Sequence, residues 1–217
     1  MTTTLGAAAG CLGTAAIGFV EKQYIDPGYV YNGVLAGLVS ITSPCAVVSP
    51  FGAIVVGLIG SLVYVGASKG VKAAGIDDAV DAFAVHGACG AWGVIACGLF
   101  ATPFYYSVSY YGDRKDDCAG LFYGGKASGS FAAAFACVFV ILAWVGSTMG
   151  ALFGTLKATG LLRVSQEIED AGLDDSKHGG AMSEVVAASC VEIKISRRVR
   201  TEASRRPPRH RRDACSM

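Results

Sequence analysis

No Asp, Glu, Lys or Arg occurs between Met1 and Val20, or between Gly28 and Ser68. Charged residues make up 16% of the 217-residue chain and hydrophobic ones 53%, with a mean hydropathy of +0.48. Soluble domains carry about 25% charged residues, so this scarcity excludes an ordinary water-soluble globule and indicates a membrane protein. One helical span takes about 20 consecutive apolar residues. The run from Gly28 to Ser68 is long enough for two, with Pro44 and Pro50 marking the turn between them. The run from Met1 to Val20 lacks the basic start and small-residue cleavage site of a removable leader, and reads as a retained helix.

Other absences exclude chemistry. Eight cysteines are present, but none are spaced C-x-x-C, and Cys11, Cys45, Cys89, Cys97 and Cys137 lie inside apolar runs. They read as small core residues and not as a zinc or redox site. No nucleophile–base pair and no phosphate loop occurs, so neither an enzyme nor a cofactor is expected.

What is there reads as an all-α membrane protein with five spans, roughly 1–20, 30–47, 51–68, 79–101 and 131–157. Residues 1–162 form the transmembrane domain, 163–182 a short amphipathic or extended segment at the membrane face, and 183–217 a basic tail. The formal net charge of +1 conceals that Lys194, Arg197, Arg198, Arg200, Arg205, Arg206, Arg209, Arg211 and Arg212 crowd that tail. Basic flanks face the cytoplasm, which puts the C-terminus inside and the 102–130 loop outside. The tail suits anionic lipid; it lacks the aromatic interleaving of a nucleic-acid binder. His178 and His210 fall in polar segments and read as solvated, whereas Trp92 and Trp144 read as packing or belt aromatics. Gly33/Gly37 and Gly146/Gly150/Gly154 are spaced for close helix packing in lipid.

His86 is the exception in the apolar stretch "DAFAVHGACGAWG". It lies eight residues past Asp78, about 12 Å along a helix rising about 1.5 Å per residue, near the middle of a core about 30 Å thick. On a regular α-helix it shares a face with Ala79, Ala82, Phe83, Cys89, Gly90 and Gly93, so desolvation favours the neutral ring. Two readings follow from the residues alone: a ring lining a pathway for a small polar solute or a proton, or a ring bonded to a neighbouring helix's carbonyl. Zinc is disfavoured, since no second ligand stands at i+3 or i+4. Asp81, with Asp77 and Asp78, reads as a first-turn acid interacting with free amides and the helix dipole.

Four blocks, "YNGVLAGLVSITSPCAVVSPFGAIVVGLIGSLV", "DDAVDAFAVHGACGAWGVIACGLFA", "GLFYGG" and "LLRVSQEIEDAGLDDSKHGG", resemble in order and spacing the ammonium transporter family, closest to its plant-like branch, over residues 1–182. The resemblance implies a fold of eleven helices in two inverted repeats, assembled as a homotrimer with one pore per subunit, of which the last five helices are present here. It implies that His86 is the second of two paired pore histidines, and that Asp77, Asp78 and Asp81 form the acidic start of the pore helix, with Ala79 where the family usually has proline. Gly172 to Gly180 matches a cytoplasmic segment that packs across subunits, and Ser176 stands where plant-type members carry a phosphorylatable threonine. Ammonium or ammonia is the implied substrate, in a multi-pass protein of the plasma membrane. Since the first pore histidine belongs to helices outside these five, two readings stand: a C-terminal portion of a longer transporter, or a non-transporting subunit that associates with full-length members and modulates them.

Overall fold

Two early helices start where a polar side chain meets a proline. In the computed structural model, which describes residues 1–110 and 112–172, Asp26 accepts from the Gly28 amide at 2.8 Å and Pro27 opens α2 (Pro27–Thr42). Ser49 likewise accepts from the Gly52 amide at 3.1 Å, and Pro50 opens α3 (Pro50–Ala73). The proline has no amide to leave unpaired and its fixed φ suits the first turn, while the capping oxygen satisfies one of the free donors. Before these, α1 (Thr2–Lys22) ends at Gln23, in the left-handed region at φ 60°, whose amide donates to the Phe19 carbonyl at 2.8 Å.

After α3 come α4 (Phe83–Phe100), α5 (Pro103–Ser109), α6 (Ala132–Ala158) and the short α7 (Gln166–Ala171). A helical stretch over Ala127–Phe131, kinked at Gly129, precedes α6. The fold is all-helical among the described residues, and four helices there are long and apolar enough to cross a membrane: Thr2–Lys22, Pro50–Ala73, Phe83–Phe100 and Gly129–Ala158.

Three predicted spans have different bounds, and the one expected over 51–68 continues as helix to Ala73. The span expected over 30–47 is helical only to Thr42, because Pro44 has no amide to continue the ladder. The chain turns instead, with the Val47 and Val48 amides donating to the Pro44 carbonyl. The span expected from 79 starts at Phe83, for reasons that belong to the site described below. His178, His210, Ser176 and the 183–217 tail lie outside the described residues.

The chain divides into two units, residues 1–148 and 149–217. In the first, α1, α2 and α3 pack on one another, and α4 lies against α2 and α3. Their axes approach through glycine. A Cβ at Gly10 would stand 2.6 Å from the Gly33 carbonyl oxygen and 2.7 Å from the Gly37 Cα. One at Gly57 would stand 2.3 Å from the Gly6 carbonyl oxygen. The spacing at Gly33/Gly37 therefore does what was expected of it, whereas a Cβ at Gly146, Gly150 or Gly154 would meet nothing within 4 Å. Between the axes lie two apolar cores: Ala36, Tyr64, Val65, Ala84, Val85 and Cys89, and further along Ile41, Val48, Ala53, Val56 and Ala96. Large apolar side chains such as Leu12, Phe51, Phe139 and Trp144 point outward, as a lipid-facing surface requires. In the second unit, Gly160 (φ 72°) ends α6, and Arg163 pairs with Glu169 of α7 at 3.1 Å.

This packing separates two glycines of one helix. Gly57→Ala forces the α1 backbone away and destabilises the bundle by about 1–3 kcal/mol. Gly66→Ala, with nothing within 4 Å of its Cβ, is neutral or stabilising by up to about 1 kcal/mol, the helix propensity of alanine over glycine. Thermal unfolding of both variants in detergent, against the unmodified chain, measures the difference.

Candidate functional site at the start of α4

The acidic run before α4 divides its labour. Asp78 carries the helix start: its carboxylate accepts from the Ala82 amide at 2.7 Å and from the Phe83 amide at 2.9 Å. Asp81, read from sequence as a first-turn acid serving the free amides, does something else. Its backbone is left-handed, at φ 55°, a conformation that Asp tolerates better than most residues. That reversal delays the helix to Phe83 and turns the carboxylate back toward α2 and α3. There Ser68 Oγ donates to Oδ1 at 2.7 Å, while Tyr64 Oη donates to Oδ2 at 2.9 Å. Asn32 Nδ2 donates to the same Oδ2 at 3.2 Å and to Tyr64 Oη at 2.9 Å. Lys72 Nζ stands 3.4 Å from Oδ1 and donates to Ser68 Oγ at 3.0 Å. Asp77 has no comparable role among the described contacts.

One carboxylate thus ties three helices together. Tyr64, Ser68 and Lys72 recur every four residues, on one face of α3; that spacing was available in the sequence and was overlooked, as was Asn32. A cavity of about 190 Å³ opens over the cluster, bordered also by Lys22, Asp26 and Tyr29. Nearby, Lys22 pairs with Asp26 and Lys69 with Glu21. Among the described residues, no group of three or more His, Cys, Asp or Glu is placed to hold a metal ion.

His86 follows, in a π-helical opening of α4 that covers Phe83–Ala88 before α geometry resumes over Cys89–Phe100. The wider turn changes the expected face. Ala84, Val85, Cys89 and Gly93 are buried against α2 and α3, while Ala82, Phe83, His86 and Gly87 are exposed on the other side. Cys89 and Gly93 are therefore turned toward the core while the ring is exposed, unlike the shared face expected of a regular helix. The ring makes no hydrogen bond to any described residue, so the alternative of a carbonyl-bonded histidine is not what this chain shows.

The level of His86 follows from the register of α3 against α4. Cys89 Sγ donates to the Gly60 carbonyl at 3.5 Å and Trp92 Nε1 to the Val56 carbonyl at 3.0 Å, while Asp81 meets Ser68. The helices are antiparallel, and Gly60 is ten residues from Pro50 and thirteen from Ala73, the ends of α3. His86, one turn before Cys89, therefore stands near the middle of α3, although it belongs to the first turn of its own helix.

The sequence profile described as the Ammonium Transporter Family matches residues 1–183. The chain belongs to that family. It is 43% identical over 185 residues to ammonium transporter 1 member 2 of Arabidopsis thaliana, covering 83% of this chain and 34% of that relative. Among solved structures, the one titled a sensor Amt protein superposes with a TM-score of 0.67 at 27% identity, covering 81% of this chain and 40% of that one. Mep2 of Saccharomyces cerevisiae does so with a TM-score of 0.66, covering 75% and 38%; at 24% identity that likeness speaks to fold alone. The ammonium transporter family member thus spans about a third of the length of the curated relatives it matches, and those relatives are named as transporters and not enzymes.

Asp81 precedes the span Phe83–Phe100. Burial pushes its pKa up, but the hydrogen bonds from Ser68 and Tyr64 and the charge of Lys72 outweigh that and hold it below the usual carboxylate range. A carboxylate depressed on folding contributes stability that is present above its unfolded pKa and lost as pH falls through its folded one. The acid limb of the stability–pH curve, below about pH 4, therefore flattens in Asp81→Asn. At neutral pH that variant loses about 1–3 kcal/mol, the scale of hydrogen bonds to a charged group. Unfolding midpoints of both proteins between pH 7 and the acid limit check both statements.

Proposed function

We propose that this chain is the C-terminal, pore-contributing portion of an ammonium-conducting transporter, and that His86 lines its pathway. The observation that carries the reading is the exposed His86 ring, level with the middle of α3, on a helix start fixed by Asp78 and Asp81. A polar ring with no bond to any described residue is costly in lipid, so it suits a face that closes onto another helix or a water-filled passage. A neutral imidazole offers one donor and one acceptor nitrogen, enough to pass a small hydrogen-bonding solute while apolar walls refuse hydrated ions. Family membership and the fold likeness support ammonium or ammonia as that solute. In this reading the chain supplies the last five helices of an eleven-helix subunit of a homotrimer in the plasma membrane, with its C-terminus in the cytoplasm. Asp77, Asp78 and Asp81 stand at the pore helix's mouth, Asp78 as cap and Asp81 as tie.

A second reading, a non-transporting subunit that docks on complete family members, draws on the same exposure: among the described residues none covers His86. Co-purification with a full-length member in cells expressing both supports it, and failure to associate removes it.

In a full-length transporter that contains this segment, His86→Ala lowers ammonium uptake by about tenfold at normal surface expression, the scale of one lost hydrogen bond of about 1.4 kcal/mol. Unaltered uptake overturns the pore role. Ser176→Asp, which adds charge beside Asp174 and Asp175, reduces uptake in the same assay if the segment from Gly172 to Gly180 regulates the pore, and leaves it unchanged if it does not.

A further inference from the structure

The other end of α4 carries a feature that ammonium conduction does not use. Three cysteines distant in sequence are drawn together there by backbone ties. The Gly120 amide donates to the Ala101 carbonyl at 2.7 Å, which brings Cys118, two residues before Gly120, to the same cavity as Cys97, one turn before Ala101. The fit is close, since a Cβ at Gly120 would stand 2.5 Å from the Leu99 carbonyl oxygen. Phe100 and Phe122 pack with ring centroids 5.1 Å apart, which fixes the loop a second time. On the other side, the Thr102 amide donates to the Val47 carbonyl at 2.8 Å and brings the turn bearing Cys45 close.

Cys97 and Cys118 line one cavity of about 350 Å³, together with Ser43, Tyr106, Tyr110 and Ala134. Cys97 lies within electrostatic reach of both Cys118 and Cys45, and Ser43 lines the cavity with it. Tyr106, which lines the same cavity, lies within electrostatic reach of Cys118. Both cavity cysteines are free and partly exposed. Cys89, by contrast, is buried on the Gly60 carbonyl, and Cys137 is exposed on α6 away from the cavity.

We propose that Cys97 and Cys118 are a paired oxidation site, closed by a hydroperoxide into a disulfide that latches the 102–130 loop onto the end of α4. One thiolate attacks the peroxide oxygen, which leaves a sulfenic acid on that sulfur and, with hydrogen peroxide, releases water. The second thiol then attacks the sulfenic sulfur, the S–S bond forms, and the hydroxyl leaves as a second water. Two electrons pass from the two sulfurs to the peroxide. Cys45 is the lesser partner because it does not line the cavity.

The test uses the unmodified chain, folded in detergent micelles, exposed to hydrogen peroxide, blocked with an alkylating agent and digested without reductant. Mass spectrometry is expected to find a Cys97–Cys118 linked peptide that reductant abolishes, with Cys137 recovered alkylated. The same treatment in denaturant is expected to lose that preference and spread linkages over other pairs. A short bifunctional alkylator, which needs no oxidation, is expected to bridge the same two residues. Cys118→Ser is expected to lose both products while its helical circular dichroism stays unchanged. Independent alkylation or sulfinic acid at Cys97 and Cys118 without a link, or equal linkage in folded and denatured chain, overturns the proposal.

Discussion

Backbone meets backbone where α1 crosses α2 and α3, and the spacing of the first four helices depends on that contact. In lipid there is no hydrophobic gain in bringing two apolar helices together, so association rests on how closely their surfaces approach. Gly6, Gly10, Gly37 and Gly57 remove the side chains that would hold the axes apart. The short α2, cut off by Pro44, is tolerated because α1 and α3 support it along its length. Gly93 of α4 uses the same device, since a Cβ there would stand 2.6 Å from the Ser40 carbonyl, the carbonyl that Pro44 has no amide to satisfy.

On that close-packed scaffold, polar groups serve as local instructions. Asp78 says where α4 begins and Asp81 says where it points, because three neutral donors and one ammonium converge on a single carboxylate. The exposed placement of the His86 ring goes with a backbone reversal at Asp81 and the π turn that follows it.

Much of this was legible in the sequence. Charge-free runs located the spans, and the glycine spacing at 33 and 37 announced close packing. His86 and the acids before it stood out against an apolar background. What could not be read was non-local or irregular. Nothing in a single sequence distinguishes an Asp that caps from one that reaches across to another helix, so Asp78 and Asp81 were given one role. A π turn has no compositional signature, so periodicity placed Cys89 and Gly93 on the face of His86, whereas both are buried and His86 is exposed. The thiols of Cys97 and Cys118 lie far apart in sequence, and only the tie between Gly120 and Ala101 makes them neighbours.

The π turn over Phe83–Ala88 has a further meaning. It accommodates one residue more than an α-helix would in the same length, and each residue of an α-helix turns the chain by about 100°. Removing one residue between His86 and Cys89 would keep the histidine and yet rotate its ring, relative to the buried Cys89, by about that angle. For a reader of related sequences, the quantity to follow is a count, the number of residues separating the carboxylate that anchors α4 from the cysteine that first settles against α3. A histidine at the right place in an alignment but at the wrong count is a different residue in space.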